Sequence, residues 1–455
     1  MEKNLTTGSV LKNVVFFSLP YLLSYFLQTL YGMADLFIIG QFEGVASTTA
    51  VSIGSQVMHM LTVMIVGLAM GTTVSIGQAI GANDRKQAAQ DVGNTVTLFM
   101  AVAIALTAIL LIFVRPIVSL ISTPAEAVNG TIQYLTVCFI GIPFITAYNI
   151  ISSIFRGMGD SKSPMYFIAV ACAANIVLDY FFMGVLRLGP VGAALGTTVS
   201  QAISVAVSLL VILKRKDLIL KKSDFKPYRP VVGKILKIGV PIALQDGFIQ
   251  ISFIVITVIA NHRGLNDAAA VGIVEKIMSF LFLIPSSMLS AVSALGAQNI
   301  GANKPARAVK TLRCAVLLAT SISFVIAVGV QFIAEPVIAL FTDPSRTDGA
   351  EVIRLGGQYL RGYVWDSFFA GLQFSFSGYF CAIGRSGFSF LHNALSIVCI
   401  RIPGAYFTSK RFANTLFPMG LSSAIGSLFS DIVCLVIFGL LTRKAKHNLK
   451  EGQHE

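Results

Sequence analysis

Long apolar runs separated by short polar connections dominate the chain. The first run, residues 14–40, reads VVFFSLPYLLSYFLQTLYGMADLFIIG and contains one charged residue, Asp35. About 20 consecutive apolar residues are enough for a helix to cross the hydrocarbon core of a bilayer. A helix is the expected form because a lipid-embedded segment must satisfy its own backbone hydrogen bonds. The run is therefore predicted to be a transmembrane helix.

The chain of 455 residues contains twelve runs of this kind in total, and 55% of its residues are hydrophobic. Only 12% are charged, whereas a soluble protein has about 25%. The pattern predicts an all-α integral membrane protein with twelve transmembrane helices. The predicted spans are 14–40, 48–80, 91–114, 128–155, 163–186, 190–213, 233–261, 268–298, 308–334, 352–383, 386–409 and 415–442.

The two halves of the chain resemble each other. The segment QAIGAN at 78–83 corresponds to QNIGAN at 298–303, and Pro20 corresponds to Pro241. Because each half has an even number of spans, the halves enter the membrane from the same side and form two parallel six-helix lobes. Transporters built from such repeats carry their substrate path between the repeats, so a central cleft is expected. Both QxIGAN segments are expected to end a helix, since Gly and Asn accept left-handed backbone geometry.

Four regions follow from this pattern. Residues 1–213 are predicted to form the N-terminal lobe and residues 233–442 the C-terminal lobe. Residues 214–232 form a basic cytoplasmic linker, and residues 443–455 form a basic cytoplasmic tail.

Basic residues set the predicted orientation. Placing the N-terminus inside puts 24 of the 34 Lys and Arg residues on the cytoplasmic side and six in outer loops, including Arg346. This bias predicts a multi-pass protein of the cell membrane with both termini in the cytoplasm. The net charge of +13 is then explained by topology and contact with anionic lipid headgroups, and no nucleic-acid partner is expected. No Walker segment, HExxH motif or His cluster occurs, so an enzyme is not expected.

The first half contains one coherent polar set: Asp35, Asn175, Asp179 and Thr197. Asp35, Asp179 and Thr197 are each about six or seven residues from the outer end of their spans, at a similar depth of roughly 9–11 Å. Asn175 precedes Asp179 by four residues and shares its helix face. These oxygens could bind Na⁺ or share a proton between the two carboxylates. Alternatively, each acid is hydrogen-bonded to its own neighbours. Pro20 is expected to bend the helix that carries Asp35.

The second half does not repeat this set. Its charged residues Glu275, Asp366 and Arg401 are candidates for the wall of a substrate cleft, where an acid would suit a cationic substrate. Structural salt bridges explain the same residues equally well. Tyr31 and Tyr134 are candidates for lining the cleft through cation–π contacts, although most aromatic residues simply pack.

Across nearly its whole length the chain resembles the multidrug and toxic compound extrusion (MATE) family. The resemblance includes Leu19-Pro20 followed by Asp35, the QAIGAN and QNIGAN pair, and Asn175-x-x-x-Asp179 followed by Thr197. In the DinF-type prokaryotic branch, which the pattern resembles most, the corresponding residues bind the coupling cation. The resemblance therefore implies that Asp35, Asn175, Asp179 and Thr197 form the cation site and that Pro20 lies at the helix bend.

The resemblance implies a secondary antiporter. An inward Na⁺ or H⁺ gradient would drive export of small amphipathic, often cationic compounds by alternating access, with no cofactor besides the coupling ion. The protein is expected to act in the lipid bilayer as a monomer. The alternative is a lipid-linked oligosaccharide flippase of the same superfamily, for which a strongly basic cleft would be expected.

Overall fold

The structure is a computed structural model that describes residues 5–214, 220–342 and 348–451, with side chains described as far as residue 443. Residues 215–219 of the predicted linker, the predicted outer-loop residue Arg346 and residues 452–455 of the tail lie outside the described residues.

The described chain is helical throughout its long apolar segments. The helices of the first half are α1 (Val10–Phe42), α2 (Val45–Gly81), α3 (Arg85–Leu120), α4 (Val128–Ile140), α5 (Ile142–Gly157), α6 (Lys162–Asp179) and α7 (Gly189–Leu213). Those of the second half are α8 (Arg229–Asn261), α9 (Leu265–Leu281), α10 (Leu283–Gly301), α11 (Pro305–Ala339), α12 (Gly349–Ala382), α13 (Gly387–Ser396), α14 (Ile402–Arg411) and α15 (Phe417–Glu451). Two π-helical segments, Tyr180–Val185 and Ile397–Arg401, and a short 3₁₀ turn, Lys222–Phe225, complete the elements.

These helices correspond to the twelve predicted spans. In the described residues, ten helical stretches are long and apolar enough to cross a membrane, and the bent pair α4–α5 supplies an eleventh. The twelfth is α12, a 34-residue helix rich in glycine, serine and tyrosine, most of which is buried. Because α12 faces protein more than lipid, it needs less apolar surface than the others. The predicted all-helical, twelve-span membrane fold is confirmed.

Among the described residues, five of the spans are broken or kinked rather than continuous, which the apolar pattern did not predict. The fourth span bends by 47° between α4 and α5, where Pro143 lies in the first turn of α5. The eighth span divides into α9 and α10, separated by Phe282. In the ninth span, Ile333 of α11 has non-helical backbone angles, three residues before Pro336. The fifth and eleventh spans each contain one of the π-helical segments, whose wider turns are typical of functional sites in helices.

The chain divides into two compact units. The first comprises Met1–Ala243 and Ser293–Ala308, and the second comprises Leu244–Val292 and Val309–Glu455. These units are defined by packing contacts, whereas the predicted lobes and linker are defined by the sequence repeat. The predicted lobe boundaries therefore remain a prediction.

Each unit has its own apolar core. In the first unit, buried side chains of α1 to α4 and α7, among them Ile39, Val51 and Leu135, pack together. In the second unit, side chains of α8, α9, α11 and α12, among them Val271 and Leu360, do the same.

The repeated QxIGAN segments end helices as predicted. α2 ends at Gly81 and α10 at Gly301. The Asn that follows each one adopts left-handed geometry, with φ of 57° at Asn83 and 55° at Asn303. Asn tolerates this conformation better than most residues because its short side chain can hydrogen-bond locally.

Within the first unit, these two helix ends pack with their backbones in contact. A Cβ atom at Gly81 would overlap the carbonyl oxygen of Gln298, and one at Gly301 would overlap the carbonyl oxygen of Gln78. The contacts are reciprocal, as expected when two copies of a repeated segment cross. Glycine is needed at both positions because any side chain would push the helices apart.

We predict that Gly81→Ala and Gly301→Ala each destabilise the protein by about 1–3 kcal/mol, the usual cost of overpacking. Thermal unfolding of the purified protein measures the effect. Gly329→Ala in α11 is the control, because a Cβ there meets no atom within 4 Å. Equal melting temperatures for all three variants would show that the backbone contact does not constrain these positions.

Candidate functional site

The first-half polar residues lie where α1, α6 and α7 pack against one another. α1 supplies Asp35, α6 supplies Asn175 and Asp179, and α7 supplies Thr197. Asp179 is the last residue of α6, and the π-helical segment Tyr180–Val185 begins directly after it. All four residues are at most 6% exposed.

The four side chains form one cluster. Thr197 Oγ1 donates a hydrogen bond to Asp35 Oδ2 at 3.1 Å, and Asn175 Nδ2 donates to Asp179 Oδ1 at 3.4 Å. The carboxyl groups of Asp35 and Asp179 lie within hydrogen-bonding reach of each other. The structure thus brings together all four residues that the sequence predicted as a site.

Three oxygen atoms of this cluster have no hydrogen-bond partner among the described residues. They are Oδ1 of Asp35, Oδ1 of Asn175 and Oδ2 of Asp179, and all three are fully occluded. Leaving a buried polar atom unpaired costs free energy, so such atoms usually have a partner. A cation bound by these oxygens, or a proton shared between the carboxylates, would supply that partner.

Tyr31 and Tyr134 surround the same cluster. Tyr31 lies near Asp35 and faces the Gln201 side chain. Tyr134 is 2% exposed, lies near Asp35 and shares a hydrogen bond with the Ser55 hydroxyl at 3.1 Å. Both tyrosines therefore belong to the first-half polar region, and their contact with a substrate remains a prediction.

Gly196 is a positioning residue that the sequence did not single out. A Cβ atom there would overlap Oδ1 of Asp179, so the carboxylate occupies the space that a side chain would need. The only sequence signal was the glycine directly before Thr197. That signal could not be interpreted without knowing that α7 packs against α6.

The second-half charges behave differently. Arg401 donates to Oδ2 of Asp366 in a buried ion pair between α12 and the second π-helical segment. Glu275 accepts hydrogen bonds from Thr257 Oγ1, at 3.1 Å to each carboxylate oxygen. Asp366 and Arg401 thus neutralise each other within one unit, which matches the structural alternative. Their role in a substrate cleft, and that of Glu275, stays a prediction.

Comparison with known proteins identifies the family. The family model described as MatE matches residues 20–181 and 241–407, one segment in each half of the chain. The chain belongs to the MatE family. This confirms the resemblance to multidrug and toxic compound extrusion proteins, which are transporters rather than enzymes. Assignment to the DinF-type branch remains a prediction.

Named relatives cover nearly the full length of this MatE-family chain. The probable multidrug resistance protein YpnP of Bacillus subtilis (strain 168) is 30% identical over 429 residues, covering 94% of each chain. The multidrug export protein MepA of Staphylococcus aureus (strain NCTC 8325 / PS 47) is 27% identical over 426 residues, covering 92% of this chain and 90% of MepA.

The fold is also that of a solved transporter. A structure described as the outward-facing conformation of a multidrug resistance MATE family transporter of the MOP superfamily superposes with a TM-score of 0.89. It is 23% identical, and the match covers 99% of both chains. At this identity the comparison supports the fold alone.

We predict that Gly196→Ala disrupts the polar cluster without unfolding the protein. The added methyl group would displace the short, rotatable Asp179 side chain rather than a backbone, so Asp179 would lose its bond from Asn175. The measurement is the shift in melting temperature caused by added Na⁺ or by a change of pH, which should be smaller than in the wild type.

The matched control is Gly32→Ala in α1, where an added Cβ meets no atom within 4 Å. This variant should respond to ions and pH as the wild type does. A wild-type response in Gly196→Ala would contradict the positioning role of Gly196.

Proposed function

We propose that the protein is a cation-coupled antiporter that exports small amphipathic, often cationic compounds. The coupling ion, Na⁺ or H⁺, would bind at Asp35, Asn175, Asp179 and Thr197. The observation that carries the proposal is the set of three unpartnered, fully occluded oxygen atoms in this cluster.

The chemistry of the cluster suits a monovalent cation. Carboxylate, amide and hydroxyl oxygens are hard ligands that favour ions such as Na⁺ over soft metals. With one shared proton, the two carboxylates carry a single negative charge, which one Na⁺ would balance. Alternatively, the two acids could gain and lose a second proton, so the same cluster supports coupling to either ion.

The site also offers a route from ion binding to movement. Asp35 is on α1 and its partners are on α6 and α7, so a cation bound between them would hold these helices together. Loss of the cation would leave an uncompensated negative charge in the buried cluster and loosen α1. Exchange then requires only that the ion and the substrate prefer different conformations. Pro20 within α1 is the residue at which we expect that helix to bend.

The names of the relatives support the type of substrate. YpnP and MepA are described as multidrug resistance and multidrug export proteins, and we extend that substrate class to this chain. A lipid-linked oligosaccharide flippase has no support from the family match or from these relatives. We further propose a monomer in the cell membrane with both termini cytoplasmic, consistent with the distribution of basic residues.

The test is efflux of a fluorescent cationic dye from proteoliposomes. An imposed Na⁺ gradient and an imposed pH gradient are applied separately. We expect one of them to drive dye movement in the wild type. Asp35→Asn and Asp179→Asn should each reduce it to the level of protein-free liposomes, because each removes a charge from the cluster.

Glu351→Gln is the control for loss of a carboxylate. Glu351 pairs with Arg354 at the surface, and an exposed pair of this kind contributes little to stability. Gradient-driven efflux by both Asp variants at the wild-type rate would exclude the cluster as the coupling site. Absence of efflux under either gradient in the wild type would contradict the antiporter itself.

A further inference from the structure

The first unit contains a buried arginine for which the proposed antiport cycle gives no role. Arg156 lies in the last turn of α5, and it is one of the 24 Lys and Arg residues that the predicted topology places on the cytoplasmic side. In the structure it is only 5% exposed. Its guanidinium lies over the ring of Tyr21 in α1, 4.5 Å from the ring centroid.

Tyrosines surround this guanidinium. The ionisable side chains that face it are Tyr21, Tyr25 and Tyr148, and no acid is among them. Tyr21 is 2% exposed and Tyr148 is 1% exposed. Tyr148 also faces the Gln28 side chain, so the surroundings of the guanidinium are aromatic with a few polar groups.

Within the described part of the chain, Arg156 has neither a carboxylate partner nor a hydrogen-bond acceptor. Arginine carries five N–H donors and remains charged at all physiological pH values. A buried charge normally has a counter-charge, because desolvation is expensive. Stacking on Tyr21 compensates only part of that cost.

The guanidinium is also not fully occluded. Its nitrogen atoms are not among the fully occluded unpartnered atoms of the described residues, whereas Nε of Arg401 is. A small group can therefore reach the charge. In the second half Arg401 has Asp366 as its counter-charge, and Arg156 lacks an equivalent acid among the described residues.

We propose that Arg156, with Tyr21, Tyr25 and Tyr148, forms a binding site for the carboxylate group of an aromatic amphipathic compound. A carboxylate matches the planar fork of the guanidinium and balances its single charge. A phosphate dianion would leave excess negative charge in a buried site. Tyr25, the one of the three tyrosines that is only half-buried, provides a flat surface for the aromatic body of the ligand.

This site is separate from the acid cluster. Tyr21 and Asp35 are fourteen residues apart on α1, which corresponds to about 21 Å along the helix. One small molecule cannot span both. The inference does not depend on the coupling ion or on antiport, because it concerns binding at equilibrium.

The test is equilibrium dialysis of the purified full-length protein in neutral detergent, with 1-naphthoate as the probe. The uncharged analogue 1-naphthamide has nearly the same shape, and binding to empty micelles is subtracted. We expect the wild type to bind naphthoate roughly tenfold or more tightly than naphthamide, since only naphthoate forms charge-assisted bonds with Arg156. Equal affinities would overturn the proposal, and this comparison needs no variant.

Variants then assign the preference to Arg156. Arg156→Gln should remove the discrimination, whereas Arg156→Lys should keep part of it because the charge remains without the planar fork. Arg354→Gln is the matched control, since Arg354 is an exposed residue paired with Glu351, and it should retain the wild-type preference. Full discrimination in Arg156→Gln would contradict the assignment.

Two further measurements test the class of ligand and the independence of this site from cation binding. Displacement of naphthoate by chloride or inorganic phosphate as effectively as by benzoate would reduce the site to one for simple anions and overturn the aromatic carboxylate class. The cation 1-naphthylmethylammonium should bind Arg156→Gln as well as it binds the wild type. A weaker affinity of this cation for the variant would also contradict a separate anion site.

Discussion

A polar group that enters the hydrocarbon core of a bilayer must find its partner within the protein, and the rest of this structure depends on that constraint. Backbone amides and carbonyls are satisfied by the helices themselves, which is why every apolar run is helical. Ionisable side chains are not satisfied by the backbone of their own helix. Each buried acid or base must therefore be paired, neutralised or left for an ion or ligand.

The two units meet this constraint in different ways. In the second unit Asp366 and Arg401 neutralise each other, and such a pair needs no external ion. In the first unit Asp35 and Asp179 lie side by side, and among the described residues only Asn175 and Thr197 hydrogen-bond to them. Because like charges at this distance repel, the pair is incomplete without a proton or a cation. The contrast between the Asp366–Arg401 pair and the Asp35–Asp179 pair is the physical basis for assigning ion coupling to the cluster in the first unit.

The same reasoning distinguishes Arg156 from Arg401. Both are buried arginines close to a break or end in a helix, yet only Arg401 has an acid as its partner among the described residues. The difference lies in the side chains that each guanidinium meets: Arg156 lies over Tyr21 of α1, whereas Arg401 pairs with Asp366 of α12. A buried charge that its own fold leaves unpaired indicates a ligand.

Much of the fold could be predicted from the sequence because its signals are local. The twelve spans follow from hydropathy, and the helix ends at Asn83 and Asn303 follow from the repeated QxIGAN segments. The grouping of Asp35, Asn175, Asp179 and Thr197 followed from counting residues to the ends of the spans. The depth of a residue in the membrane can thus be predicted directly from its position within its span.

The remaining features depend on packing between distant helices. The pairing of Asp366 with Arg401 joins residues 35 positions apart, and several acids were equally good partners in sequence. The role of Gly196 requires the approach of α7 to Asp179. The burial of Arg156 was not predicted because an arginine at a helix end is ordinarily exposed. The breaks in five spans arise where proline or widened helical turns interrupt an otherwise uniform apolar pattern.

The most direct test of the central claim is infrared difference spectroscopy of carboxyl protonation, recorded as a function of pH with and without Na⁺. Two acids in one site titrate as a pair, so removing either one should change the titration of the other. We therefore predict that Asp35→Asn changes the signal of Asp179 and that Asp179→Asn changes the signal of Asp35. If each acid titrates identically whether or not the other is present, the two do not form one coupled site, and the proposed mechanism is wrong.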